Sequence, residues 1–318
     1  PYAALSSRSA GRAHPISTCD LRTCYQRDRD RIIHCKSFRR LKYKTQVFLT
    51  PMGDHYRTRL THTLEVSQVA RTLARSLRLN EDLTEAAALG HDLGHTPFGH
   101  IGESTLNRLL PGGFRHNEQS LRGAERLEND GAGLNLCRET LDGILNHSGQ
   151  NEPKTLEGWC VRRADRIAYI NHDIDDAIRG GILKPFELPR RCLSVLGETH
   201  GERIDTMIRD IVTTSMDQPF VRMSEEVRQA SEELRAFLFE YVYHDDWRKK
   251  EEARCDYILS ALYEHYLAHP EQLPAEYLEI NFTEGAERAV CDFIACMTDR
   301  YAIDQFSEIF VPGAFGRR

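Results

Sequence analysis

The strongest constraint on this chain is the period at which its apolar residues recur. In THTLEVSQVARTLARSLRLN, Leu64, Val66, Val69, Ala70, Leu73 and Leu77 fall near helical spacing. LTEAAALGHDLGH reads as a second helix, broken near Gly94, and Pro97 forbids its simple continuation. FRHNEQSLRGAERLE and RETLDGILNHSG read as further helices. LEGWCVRRADRIAYINHDIDDAIR predicts a long helix over residues 156–179, ending at Gly180-Gly181, since glycine readily takes the conformation that stops a helix. SEELRAFLFEYVYHD and CDYILSALYEHYLAHP extend the pattern. Alternation of period two is scarce and no internal repeat is found, so the expected fold is all-α. Residues 182–189 read as a linker.

Of the 318 residues, 40% are hydrophobic and 28% charged, enough to bury a large core and too balanced for a disordered chain. The formal net charge of -6 gives no general attraction to nucleic acid or acidic lipid, so an anionic ligand needs a local basic cluster. The run RDRDRIIHCKSFRRLKYK, residues 27–44, is such a cluster. It reads either as a solvated helical face or as the lining of a ligand site or subunit contact. Nine cysteines occur, an odd number with no C-x-x-C pair, which argues for reduced thiols in a cytoplasmic setting. No apolar run reaches the roughly 18 residues of a membrane span. The opening PYAALSSRSAGRAHP lacks the apolar core of a signal peptide.

Histidines are unevenly placed: His62, His91, His95, His100, His116 and His147 share one stretch, and Asp92 follows His91. A single histidine is more often structural than a ligand, and an isolated His-Asp pair is common; the combination is not. Imidazole nitrogen with carboxylate oxygen suits Mn, Fe, Co, Ni or Zn, and carboxylate with water suits Mg. His62 opens one helix and His91-Asp92 close another, so antiparallel helices would bring them together. Asp165, Tyr169 and Asp173 stand at i, i+4 and i+8 and share a helical face, which makes Asp165 a suitable fourth ligand.

THTLEVSQVAR, LGHDLGHTPFGHIGE, GGFRHNEQS, ILNHSG and ADRIAYINHDIDDAI together resemble the HD-domain deoxynucleoside triphosphate triphosphohydrolases, in particular bacterial dGTPase-like members. The resemblance covers roughly residues 20–185. It implies an all-helical fold with an N-terminal arm over 1–25, an HD-domain catalytic core over 26–185 and a helical C-terminal region over 186–318 packing on the core. It implies hydrolysis of a dNTP, dGTP or several, to deoxynucleoside and triphosphate, with a divalent metal on His62, His91, Asp92 and Asp165. Arg59 matches a phosphate-contacting position, and His95, His116, Arg166 and Tyr169 match triphosphate-contacting ones. His100 and Glu103 match a proton-transfer pair, and Asp173 and Gln46 match positions that bind the deoxyribose. His147 is a looser candidate. Glu103 could instead cap its helix and Tyr169 could simply pack. A homo-oligomer, an allosteric nucleotide and single-stranded nucleic acid are further partners that the resemblance implies; a membrane is not among them. The base preference, the native metal and the role of residues 190–318 are not fixed by these motifs.

Two other readings compete. An HD phosphohydrolase could act on a monophosphate, cyclic nucleotide or alarmone, though the signature of cyclic-dinucleotide enzymes is missing. A silent nucleotide sensor or nucleic-acid-binding module on the same scaffold should show damaged ligands, and here the ligand set and the His100–Glu103 pair all stand.

Overall fold

Fifteen α-helices and no strands make up the described residues of the computed structural model, which are 2–46, 57–242 and 246–313. In chain order they are α1 (Cys24–His34), α2 (Lys36–Arg40), α3 (Arg59–Ser76), α4 (Glu81–Gly90), α5 (His100–Leu109), α6 (His116–Arg122), α7 (Arg138–Leu145) and α8 (Leu156–Arg179). Beyond these lie α9 (Arg190–Leu196), α10 (His200–Ser215), α11 (Glu225–Tyr241), α12 (Asp246–Ala268), α13 (Ala275–Glu284), α14 (Ala286–Cys296) and α15 (Asp299–Phe310). The all-α expectation holds. No described helix is long and apolar enough to cross a membrane.

The long helix falls on residues 156–179 as its pattern predicts. The Thr155 side chain caps its first turn by accepting from the Gly158 backbone N–H. It is buried nearly all round: Ala164, Ala168 and Ala177 alternate with Ile167, Ile170 and Ile174, and α3 lies against it through Val66, Ala70 and Leu73. Helix α4 stops four residues earlier than the pattern of LTEAAALGHDLGH suggests, at Gly90, and the turn that follows is held by Ser120 of α6. FRHNEQSLRGAERLE divides into α6 and a π-helical turn, Gly123–Leu127. The 182–189 linker contains one 3-10 turn, Pro185–Glu187.

Three apolar cores surround the site. One joins α3, α4 and α8 to α9, α10 and α11. A second joins α5 to α12, α14 and α15 through Leu106, Leu259, Leu262 and Ile294. A third packs α1, α2, α4 and α7 around Ile32, Leu89 and Ile144. Apolar burial at roughly 25 cal/mol per Å² makes these cores the main source of stability. The first residues are irregular but fastened down: Arg12 pairs with buried Asp28, the Ala4 N–H donates to Glu157, and the Ala10 N–H donates to Glu139.

Candidate active site

The site is assembled from helix ends and one helix middle. Thr58 caps α3 by accepting from the Thr61 N–H, which sets Arg59 and His62 in the first turn with their side chains buried. His91 is the residue after α4, and the chain turns sharply through residue 94. That turn is stapled to α6, because the Ser120 hydroxyl donates to the His91 carbonyl (2.7 Å) and accepts from the Gly94 N–H (2.8 Å). Asp165 projects from the middle of α8.

His62, His91, Asp92 and Asp165 are brought together. His62 Nε2 lies 3.1 Å from Asp165 Oδ1, and His91 Nε2 lies 3.8 Å from the same oxygen and 3.5 Å from Asp92 Oδ1. Ligand atoms of His62, His91 and Asp92 fall within 4.8 Å of one another, as do those of His91, His147 and Asp165. His91 Nδ1–H donates to the Ala88 carbonyl at 2.6 Å, so Nε2 carries the lone pair. That nitrogen is buried and has no hydrogen-bond partner among the described residues. A buried lone pair facing two carboxylates is what a divalent cation would satisfy, and the donor set of imidazoles and carboxylates suits one.

Electrostatics favour the same reading. Burial alone would raise the Asp92 carboxyl, but His91, Arg59 and the neighbouring histidines hold it well below the usual carboxylate range. Asp165 is likewise raised by burial and lowered, on balance, by its bond to His62 and by His91. Arg59 Nη1 donates to Asp92 Oδ2 at 2.8 Å, and Nη2 donates to the Gln46 carbonyl at 3.2 Å. Gln46 is itself buried, and its side-chain oxygen has no partner among the described residues.

A second group adjoins the first. His95 stacks on His116 with ring centres 4.4 Å apart. Glu103 accepts from the His116 backbone N–H (2.9 Å) and from its Nδ1 (2.9 Å). His100 is the more distant neighbour, with Nδ1 3.8 Å from Glu103 Oε2 and a side chain 68% exposed. The pairing expected between His100 and Glu103 is therefore shared, and His116 holds the hydrogen bonds. The reason is local: His100 opens α5 on the solvent side, whereas His116 opens α6 with backbone and ring both facing Glu103. His147 Nδ1–H donates to the Ile144 carbonyl at 2.7 Å, leaving Nε2 as an acceptor 3.2 Å from His116 Nε2. His116 must then donate from both nitrogens, as an imidazolium. Burial disfavours that form, but the Glu103 bond outweighs it and raises the His116 pKa. Burial first, and then the neighbouring His91 and His116, push His147 down to about 3, so it stays neutral.

The remaining candidates lie further out. The Tyr169 hydroxyl is buried without a partner among the described residues, and the Arg235 guanidinium stands 6.0 Å from its ring. Asp173 is buried two turns beyond Asp165 on α8. Arg166 makes no hydrogen bond to the histidines among the described residues; it lines a cavity between α8, α10 and α11 and acts electrostatically on Tyr169. The sequence marks His147 only loosely and does not single out Arg235 at all. His147 follows the end of α7 and has no ligand spacing to betray it. Arg235 adjoins the core residue Leu234 on amphipathic α11, where a cation is a weak signal of function.

A helical scaffold holding a histidine–aspartate cluster of this kind defines an HD-domain phosphohydrolase, and the HD domain family matches residues 59–170, with the phosphohydrolase-associated domain at 221–308. The relatives narrow the class. A deoxyguanosinetriphosphate triphosphohydrolase-like protein of Caldanaerobacter subterraneus is 59% identical over 98% of this chain and 92% of its own length. Proteins of the same description from Clostridium perfringens and Geobacter sulfurreducens are 51% and 42% identical, each over 98% of this chain, and over 93% and 94% of their own lengths. The chain belongs to this dGTPase-like family of HD-domain proteins.

Proposed function

We propose that the protein hydrolyses deoxynucleoside triphosphates to deoxynucleoside and intact triphosphate, with a divalent metal at the histidine–aspartate cluster. One observation carries the reading: two imidazoles and two carboxylates from three helices converge around the partnerless His91 Nε2, beside a second group that presents cations. His62, His91, Asp92 and Asp165 would hold the metal, whose identity within Mn, Mg, Fe, Co, Ni and Zn the donor set leaves open. When bound, the cation supplies Lewis acidity at the α-phosphate and lowers the pKa of water.

The protein's own residues do the rest. Arg59, held by Asp92, and His116, held as a cation by Glu103, offset phosphate charge without reorganising. His95, stacked on His116, extends that wall. Tyr169 and Arg166 from α8 and Arg235 from α11 offer further donors for the triphosphate. Gln46 and Asp173 would bind the deoxyribose, as the family resemblance implies. Water attacks the α-phosphorus and the 5′ oxygen departs, taking a proton. His100 is exposed for exchange with solvent and near the second Glu103 oxygen, so the pair serves as the proton carrier.

Anion-exchange analysis of products, after mixing the protein with each dNTP and Mn or Mg, tests the reading. Deoxynucleoside and triphosphate in equal amounts are expected. Orthophosphate or pyrophosphate as the inorganic product would overturn it.

A further inference from the structure

His116 opens α6, yet apolar packing does little to place this helix. It has seven residues, too few to be stable alone. Its three buried side chains, Asn117, Gln119 and Ser120, are all polar, and the apolar anchors Phe114 and Ala124 flank it rather than lie on it. Arg115 supplies no side-chain cap. Hydrogen bonds must therefore fix where α6 lies. Glu103 takes the His116 N–H, Asn117 donates to the Leu145 carbonyl at 2.8 Å, and Ser120 staples the turn after α4. The remaining contact comes from far along the chain.

Asp292, wholly buried on α14, accepts from Gln119 Nε2 at 2.8 Å and from Arg122 Nε at 2.8 Å, so it holds α6 at two points about one turn apart. Arg288, one turn before Asp292, closes the group. Its Nε donates to Asp292 at 3.1 Å, and its Nη2 donates to the Gln119 side-chain oxygen at 2.6 Å. Arg122 reaches on to Glu284 at 2.9 Å. The support is itself firmly packed, because Val290 and Ile294 of α14 lie in the core shared with α5 and α12. A buried carboxylate between two guanidiniums tolerates little movement, since a shift of α6 would strand its charge. His116 stands one turn before Gln119 on the same helix, so the placement that satisfies Asp292 also decides where the imidazole lies.

We infer that Asp292 is a positioning residue for His116, acting through α6 from outside the HD-domain match, and that the phosphohydrolase-associated region completes the site by holding this helix. Its effect on turnover rests on the hydrolysis proposed above; its effect on the His116 ring does not.

The test is nuclear magnetic resonance of the full chain, isotope-labelled at its histidine ring nitrogens, with the His116 and His62 signals assigned from His116→Ala and His62→Ala. Asp292→Asn keeps the volume and removes the charge. Gln119→Met removes one bond and no charge, and it carries the test if Asp292→Asn does not fold. Both are expected to move the His116 ring signals and to leave those of His62, on α3, in place. Arg126→Ala breaks an exposed ion pair to Glu284 between the same parts of the molecule and should move neither. Well below its Tm, Asp292→Asn should also lose about tenfold in kcat, with Arg126→Ala unchanged. General loosening of the fold would move His62 as well as His116, which separates positioning from stability. An unmoved His116 signal in both variants, or a His62 signal that moves as far, would overturn the inference, as would wild-type kcat in Asp292→Asn. If the wild type releases no triphosphate, the hydrolysis proposal falls and the ring signals still decide this one.

Discussion

At His91 the chemistry turns on which ring nitrogen is free. The Ala88 carbonyl takes the Nδ1 proton and fixes the tautomer, so removing the ring deletes one metal donor without unpairing a charge. His91→Ala is expected to leave less than about a tenth of wild-type turnover, with helical circular dichroism retained. A variant that keeps more turnover would remove His91 from the metal set. Asp92 is a poorer choice for this test, because its loss strands the buried Arg59 guanidinium. The convergence of His62, His91, Asp92 and Asp165 was legible in the sequence because each stands in a motif or on a helical face whose period can be counted. The partner of Glu103 was not, since the i, i+3 spacing favoured His100 while the structure gives the bond to His116, thirteen residues away.

Between elements, the turn after α4 shows why helix existence was readable and helix ends were not. Alanine and leucine in LTEAAALGHDLGH specify a helix, yet its stop depends on α6 pressing against the turn. Gly94 records that pressure: a Cβ there would sit on the Ser120 backbone nitrogen and 2.6 Å from the His116 carbonyl oxygen. Backbone cannot rotate away as a side chain can. Gly94→Ala should therefore cost about 1–3 kcal/mol and tilt the His91-Asp92 corner off its partners. Thermal melting and steady-state rates on the same sample would check this, the expectation being a lower Tm and a reduced kcat. Wild-type values for both would mean the turn has slack that the contact distances deny.

Across the whole molecule, much of what the C-terminal half contributes to the site is support for backbone, which leaves little side-chain signature of chemistry in its sequence. Asp299, at the start of α15, accepts from the backbone N–H groups of Thr45 and Phe98, each at 2.9 Å. Lys44 is fully buried and donates from Nζ to the carbonyls of His95 and Ala295, joining the histidine loop to α14. Desolvation dominates its surroundings, and although Cys296 and Asp299 favour the charge, Arg40 and Arg59 oppose it. The net effect pulls the ammonium from 10.5 down to about 8. Below that value Lys44 is charged in both folded and unfolded chains, and the burial penalty is present in full. Between pH 8 and 10.5 the folded chain has released the proton while the unfolded chain still binds it, so this residue's contribution to stability rises with pH and then levels. The stability of wild type relative to Lys44→Met, measured by denaturant unfolding at about pH 7.5, 9 and 10, should shift in favour of wild type by a few kcal/mol across that window. A difference that stays flat with pH would mean that Lys44 keeps its proton in the fold, and that the clamp between α14 and the histidine loop is an ammonium rather than an amine.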